Sequence, residues 1–336
     1  MENMIIDNSQ VDNELKKRQL ESLVQAPSEL DIAKEQKRQK VWKIIKNILV
    51  YLFLTIVAVM SFLPFYWMII SSFKTEIEYR QTPPTFFPRN FIFKNYPTVL
   101  SQASMGKTGT FWDILLNTLI VGIFSTGLSV ILTIITAYAF ARMEFKGKNL
   151  LFTLMLGTMM IPGEMFTITN YLTVNKFGWA DSYTVLILPF MVSIYYIYLL
   201  RNNFKQIPNS LYQAAKVDGL SDMGYLIKVM VPLTAPTLIS VTLLKFIGTW
   251  NSYIWPRLVN KAEMQLITNW VTNGFHDTTD AMINFEDGVL KYGTSMSLTS
   301  MKMAAVCMVS LPLFLLFVFF RKYIMHGVSK SGTKGW

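Results

Sequence analysis

The sequence Ile207-Pro208-Asn209-Ser210-Leu211-Tyr212-Gln213-Ala214-Ala215-Lys216-Val217-Asp218-Gly219 is a short polar stretch between two apolar ones. Its ends are typical of a helix, because proline suits a first helical position and glycine suits the left-handed residue that ends a helix. Ser221, followed by Asp222, can cap and charge the start of a second helix. The stretch therefore predicts a short helix with both ends marked.

One side of this helix is modestly apolar. Leu211, Ala214 and Val217 follow one another at three-residue spacing, so they share a face. The pair Ala214-Ala215 presents almost no side chain, which lets another surface approach the backbone closely. This pattern favours a docking helix, and a surface loop that happens to be helical is the alternative.

Uncharged apolar runs recur along the chain, in which 52% of the 336 residues are hydrophobic. A helix needs about 18 to 20 apolar residues to cross a bilayer, and several runs reach that length. The two short runs continue past a single charge, Glu164 and Lys245. The runs predict an all-α polytopic membrane protein with six transmembrane helices, and they extend over 47–73, 114–141, 149–163, 182–200, 229–244 and 303–320.

The net charge of +10 is explained by its placement, which argues against nucleic acid as a partner. Basic residues precede the first run, separate the second from the third and the fourth from the fifth, and follow the sixth. With six spans, these basic segments all lie on the same side of the membrane. The positive-inside rule assigns that side to the cytoplasm. Both termini and the docking stretch are therefore expected to be cytoplasmic.

Three regions follow from this order. Residues 1–46 are expected to form a cytoplasmic extension that is either amphipathic or disordered. Residues 47–321 hold the six spans, and residues 322–336 form a cytoplasmic tail.

The docking stretch resembles the EAA loop of the membrane subunits of binding-protein-dependent ABC importers. The resemblance lies in Gln213-Ala214-Ala215, then Gly219 after three residues, then Val229-Met230-Val231-Pro232 after nine. Gln213 departs from the family, which has glutamate there. Motifs of the sugar-importing branch occur in order at Ser72-Phe73-Lys74-Thr75, Phe87-Pro88, Asn95-Tyr96, Asn117, Ala137-Tyr138-Ala139-Phe140-Ala141-Arg142, Phe145-Lys146-Gly147, Ile207-Pro208 and Trp250-Asn251.

The resemblance implies the transmembrane fold of type I ABC importers, with residues 203–232 as the docking loop. It implies contact with an ATP-hydrolysing subunit through Leu211, Tyr212, Gln213, Ala214, Ala215, Asp218 and Gly219. The tail is similar to that of the maltose-type second permease subunit, so Lys334 and Gly335 are also expected to reach the ATPase, with simple disorder as the alternative.

The implied partners are a sister permease subunit, two ATP-binding subunits, an extracytoplasmic solute-binding protein and membrane lipid. ATP and Mg would be held by the partner ATPase. In this chain Gly106-Lys107-Thr108 ends like a P-loop but lacks its leading glycine, since position 101 is Ser101. The two histidines, His276 and His326, have no partner at metal-ligand spacing, so no catalytic site and no metal site is predicted.

The substrate path is the least determined part. Glu164 lies 15 residues beyond Asn149 and Lys245 lies 15 residues beyond Met230, so each is expected about 22 Å from the cytoplasmic face if the helices are straight. They form an ion pair or are hydrated separately, because a lone charge in a membrane is costly. Trp250 and Asn251 either line the sugar path or belong to an interfacial belt, and Trp255 is expected in the belt.

The sequence therefore predicts a permease subunit of an ABC importer for a carbohydrate, an oligosaccharide in particular. An importer of the glycerol-phosphate type and an ion-coupled secondary transporter are the alternatives.

Overall fold

The computed structural model describes residues 12–18, 29–75, 78–79, 81–101, 110–261, 264–273, 283–286, 289–292 and 298–329. Gly106, Lys107, Thr108, His276, Lys334 and Gly335 lie outside these ranges, and the side chain of His326 is not described either.

The described chain is almost entirely helical. One antiparallel β-hairpin, β1 (Ile283–Glu286) and β2 (Val289–Tyr292), lies in the long loop before the last helix and was not predicted. Short 3-10 turns cover Gly163–Phe166 and Leu188–Phe190, and a π-helical segment covers Leu226–Met230. The helices are α1 (12–18), α2 (Glu29–Ser71), α3 (Asn95–Ser101), α4 (Phe111–Arg142), α5 (Lys148–Thr158), α6 (Thr167–Lys176), α7 (Tyr183–Ile187), α8 (Ile194–Lys205), α9 (Asn209–Val217), α10 (Asp222–Tyr225), α11 (Val231–Leu233), α12 (Ala235–Trp250), α13 (Ile254–Val259), α14 (Ile267–Asn273) and α15 (Leu298–Ser329).

The described residues contain three to six candidate membrane spans. Three single helices are long and apolar enough: Lys34–Ser71, Phe111–Arg142 and Thr299–Tyr323. Three further candidates are bent pairs: α5 with Gly163–Lys176 at 84°, Tyr183–Phe190 with α8 at 43°, and Asp222–Leu233 with α12 at 82°. Each of the six coincides with a predicted apolar run.

Proline and glycine explain the sharpest bend. The helix α5 ends at Thr158, and Pro162 and Gly163 follow, so the chain resumes as a 3-10 turn. Proline has no N–H and cannot continue the helical ladder. The 82° bend in the fifth candidate was not predicted; it lies at Thr234, between Pro232 and Pro236.

The chain divides into two compact units, Met1–Tyr66 and Trp67–Trp336. In the first unit, α2 runs without a break through the predicted boundary between residues 46 and 47. Residues 34–46 contain neither glycine nor proline, so nothing there stops the helix. Every side chain from 34 to 65 is exposed.

In the second unit, α4 is the central helix and packs against both α8 and α12, while α12 also packs against α15. Small residues on α4 allow close packing, as is common between membrane helices. At Gly122 an added Cβ would lie 2.9 Å from the ring of Phe246 on α12. This glycine therefore sets how closely α4 and α12 approach.

Candidate functional site

The predicted docking helix is α9, and its ends form as the sequence indicates. Pro208 has an extended backbone just before the helix, and Gly219 just after it has φ of +77°. The N–H of Leu220 donates to the carbonyl of Ala215 at 2.9 Å, and the N–H of Gly219 donates to that of Lys216 at 3.1 Å. This pair of bonds is the Schellman motif, which requires the left-handed residue that glycine adopts without strain.

The inner side of α9 is held by the chain itself. Ala215 is buried in a cluster with Phe204, Tyr225 and Leu226. The ring of Tyr212 packs edge-on against that of Tyr225 at 5.1 Å between centroids. Ala215 and Tyr212, both predicted docking residues, therefore seat the helix on its own chain.

Asp222 ties α9 to the start of the following helix. Its carboxylate accepts a hydrogen bond from the hydroxyl of Tyr212 at 2.8 Å and forms an ion pair with Lys216 at 2.9 Å. The hydrogen bond to Asp222 raises the pKa of Lys216. The ion pair is therefore complete at neutral pH. It is lost as the pH rises through the raised pKa of Lys216 or falls through the lowered pKa of Asp222. The predicted cap also forms, since the hydroxyl of Ser221 accepts from the N–H of Gly224 at 3.1 Å.

The outer side of α9 faces away from the described chain. Leu211 is 40% exposed and Val217 is 88% exposed. The predicted docking residues on this side are all exposed, namely Leu211, Gln213, Ala214, Asp218 and Gly219. A helix with its inner side packed and its apolar outer side bare can seat against another protein.

Two arginines join this loop and the helix before it to the end of α4 and to neighbouring segments. A guanidinium nitrogen of Arg142, at the end of α4, donates to the carbonyls of Ile207 and, at 3.1 Å, Phe204. The Nε of Arg201 donates to the carbonyl of Phe140 at 3.1 Å, and its guanidinium lies 3.8 Å from the ring centre of Phe152. The distribution of Lys and Arg along the sequence could not predict that Arg201 is buried beside the ring of Phe152.

A second candidate site is a cavity of about 310 Å³ in the second unit. It lies beside the break between Leu188–Phe190 and α8, and Lys245 on α12 borders it. Hydroxyl groups and aromatic rings make up much of the remaining wall. The lining residues are Val121, Ser125, Leu186, Phe190, Val192, Ser193, Tyr196, Lys245, Gly248, Thr249, Ser252, Trp255, Pro256 and Leu266.

The ion pair between Glu164 and Lys245 does not form. The Nζ of Lys245 instead donates to the backbone carbonyl of Phe190 at 2.7 Å. Glu164 lies exposed on the turn Gly163–Phe166 and does not border the cavity. The spans that carry the two residues are bent by 84° and 82°, so equal residue counts do not place them at equal depth.

The structure places three residues that were expected on the sugar path or in an interfacial belt. Trp250 is 1% exposed and packs in a core cluster with Phe111 and Trp270, so it does not line the cavity. Asn251 is exposed at the end of α12, also outside the cavity. Trp255, which was expected in the belt, is buried within the chain, borders the cavity and donates from Nε1 to the carbonyl of Val185 at 3.0 Å.

Within the described residues, no group of three His, Cys, Asp or Glu side chains could hold a metal ion. The arrangement is one of an exposed helix face and a largely apolar cavity with a few polar groups, which suits binding.

Comparison with known proteins identifies the type of chain. Residues 129–330 match the family described as "Binding-protein-dependent transport system inner membrane component". The protein LplC of Bacillus subtilis is 28% identical over 296 residues, which cover 84% of this chain and 93% of LplC. The trehalose/maltose transport system permease protein MalG of Thermococcus litoralis is 28% identical over 300 residues, with 87% and 99% covered.

Among solved structures, a chain of a bacterial ABC transporter involved in the import of the acidic polysaccharide alginate superposes with a TM-score of 0.71 at 26% identity, covering 83% of this chain and 96% of that one. The family match spans more than half of the sequence and contains the docking helix together with most of the cavity lining. The chain belongs to the family of binding-protein-dependent transport system inner membrane components.

Proposed function

We propose that this chain is one of the two permease subunits of an ABC importer for a carbohydrate, an oligosaccharide in particular. The observation that carries the proposal is α9, a helix seated on its own chain by Ala215 with a bare outer side. A sister permease subunit would complete the translocation path, and an extracytoplasmic solute-binding protein would deliver the substrate. The names of the matched relatives support a carbohydrate as the cargo.

In this proposal two ATP-binding subunits hold ATP and Mg, and one of them receives the outer side of α9. The residues that make this contact are Leu211, Gln213, Ala214, Asp218 and Gly219, while Lys334 and Gly335 contribute from the tail. Closure of the ATPase pair would then move α9 and the helices bonded to it. This chain would supply no ATP-hydrolysing residue.

The permease domain would comprise residues 47–321, with each bent pair counted as one span and six spans in all. The excess of Lys and Arg in alternate segments supports cytoplasmic termini. The exposed apolar surface of α2 from residue 47 onward would be covered by lipid or by the sister permease.

The test is purification of this chain from its native membrane in mild detergent, with the associated proteins identified by mass spectrometry. An ATPase and a second permease should be recovered with the wild type and lost with Gly219→Asp. Gly178→Asp is the matched control, because Gly178 also has a left-handed backbone and open space at its Cβ position. Equal loss with both variants would contradict the docking role of α9. A lone oligomer of this chain would contradict the importer and favour a self-contained ion-coupled transporter.

A further inference from the structure

The cavity beside Lys245 has the chemistry of an anion site. We propose that it binds the carboxylate of an acidic carbohydrate, one sugar unit at a time, with Lys245 as the recognising cation. The inference rests on the proposed carbohydrate importer and names its substrate class. A cavity of about 310 Å³ is at the small end of ligand sites, which suits a single sugar unit.

Lys245 has unused capacity for hydrogen bonding. An ammonium group has three donors, and one of them is taken by the carbonyl of Phe190 at 2.7 Å. Within the described part of the chain, no carboxylate forms an ion pair with it. A charge within a candidate span is costly unless it is paired, so a carboxylate that enters the cavity gains a strong partner.

The break in the fourth candidate span also lies at this cavity. Its first half ends at Phe190, whose carbonyl accepts from Lys245, and its second half begins with Ser193 as the cap of α8. The side chain of Ser193 makes no capping bond, and Ser193 borders the cavity together with Tyr196 in the first turn. The start of a 12-residue helix carries unpaired N–H groups and a partial positive charge, which favours an anion.

A buried hydroxyl adds an independent indication of a ligand. Ser125 on α4 is 1% exposed, borders the cavity and has no hydrogen-bond partner for its Oγ. Buried hydroxyl groups are normally satisfied, so a polar group of a bound ligand is one partner that this hydroxyl can take. Ser252 also borders the cavity, and the rings of Phe190 and Trp255 supply apolar surface for a sugar face.

The charge of the site favours a carboxylate over a phosphate. Lys245 is the one cation among the described lining residues, and no arginine accompanies it. One ammonium matches the single charge of a carboxylate, whereas phosphate is commonly bound by bidentate arginine. The hydroxyl groups of the wall suit the neighbouring hydroxyls of a uronic acid.

The test uses the complex of this chain with its co-purifying subunits in lipid nanodiscs. Binding of radiolabelled trigalacturonate is measured in competition with the same trisaccharide reduced to its neutral alcohols. The wild type should prefer the acidic sugar roughly ten-fold, as expected for one charge-assisted hydrogen-bonded pair. Lys245→Met should abolish the preference, Lys245→Arg should retain it, and Ser125→Ala should weaken binding of the acidic sugar several-fold.

Lys176→Met is the matched control, because Lys176 is exposed at the end of α6 and lies outside the cavity. Its preference should equal that of the wild type. If Lys245→Met does not fold, Lys245→Arg and Ser125→Ala still carry the test. Equal affinity of the wild type for both sugars, an unchanged preference in Lys245→Met, or stronger displacement by glycerol 3-phosphate than by galacturonate would overturn the proposal.

The proposed function has a separate readout. ATP-dependent uptake of a neutral oligosaccharide, without preference for the acidic one, would overturn the carboxylate site and leave the carbohydrate importer standing. Absence of ATP-dependent uptake for either sugar would instead count against the importer itself.

Discussion

Ala214 and Ala215 are neighbours with opposite surroundings. The first lies on the bare outer side of α9, and the second is 5% exposed in the cluster beneath it. The sequence shows two small side chains in a row but not which one faces inward, because the direction depends on what packs below. The buried partners, Phe204 and Tyr225, come from other segments of the chain.

Two arginine substitutions separate these roles. Ala214→Arg should leave the chain folded and abolish recovery of the ATPase, because the added side chain meets only the partner. Ala215→Arg should lower the free energy of unfolding by about 1–3 kcal/mol or more, because the core has no room for it. Thermal unfolding in detergent and co-purification measure the two effects, and equal destabilisation by both variants would contradict the assignment.

Arg142 on α4 stabilises the segment that leads into α9. It joins the end of α4 to the carbonyls of Phe204 and Ile207, on either side of the turn that leads into α9. The carbonyl of Phe204 lies in the last turn of α8, where it also accepts a bond from the N–H of Ile207 at 3.4 Å, and the carbonyl of Ile207 lies in the turn before α9. The ends of α9 could be predicted, since Pro208 and Gly219 act locally, but this bond spans 62 residues and has no local signal.

Replacement of Arg142 by Met keeps an apolar stem and removes both hydrogen bonds. Each bond from a charged donor contributes about 1.5–3 kcal/mol when it is shielded from water, and less here because the site is partly open. Hydrogen exchange of backbone amides in residues 205–219 should therefore accelerate, while that of α4 stays unchanged. Arg257→Met, at an exposed site on α13, is the control and should leave the exchange of 205–219 unaltered.

Over the whole molecule, α8 connects the two candidate sites. Its first turn borders the cavity, and its last turn is bonded to Arg142 and packed under α9 by Phe204. Twelve helical residues extend about 18 Å, so a rigid element of that length joins docking surface and cavity. The apolar runs predict these helices, but the partners of Lys245 and the burial of Trp250 could not be predicted. Hydropathy predicts the length of a span, but it does not predict where the span bends or which way its side chains point.

The packing of α4 against α12 supports this connection and can be tested at Gly122. Gly122→Val should lower the unfolding free energy by about 1–3 kcal/mol, because the new atoms would overlap the ring of Phe246. Gly127→Val on the same helix meets open space and is the matched control. Thermal unfolding of both variants in detergent measures the difference, and equal midpoints would mean that α4 and α12 are not closely packed.

Lys245 also bears on how the chain enters the membrane as it is made. A lysine costs about 2.5–3.5 kcal/mol during insertion at the centre of a span and less toward its ends. Lys245 is the eleventh of the 16 residues of α12, so part of this cost applies. Its hydrogen-bond acceptor, Phe190, is synthesised 55 residues earlier. We expect the isolated segment to insert poorly in a glycosylation-mapping assay and to insert well when the preceding helices are present. We thus expect α12 to enter the membrane after Phe190, whose carbonyl accepts the hydrogen bond from Lys245, is already there.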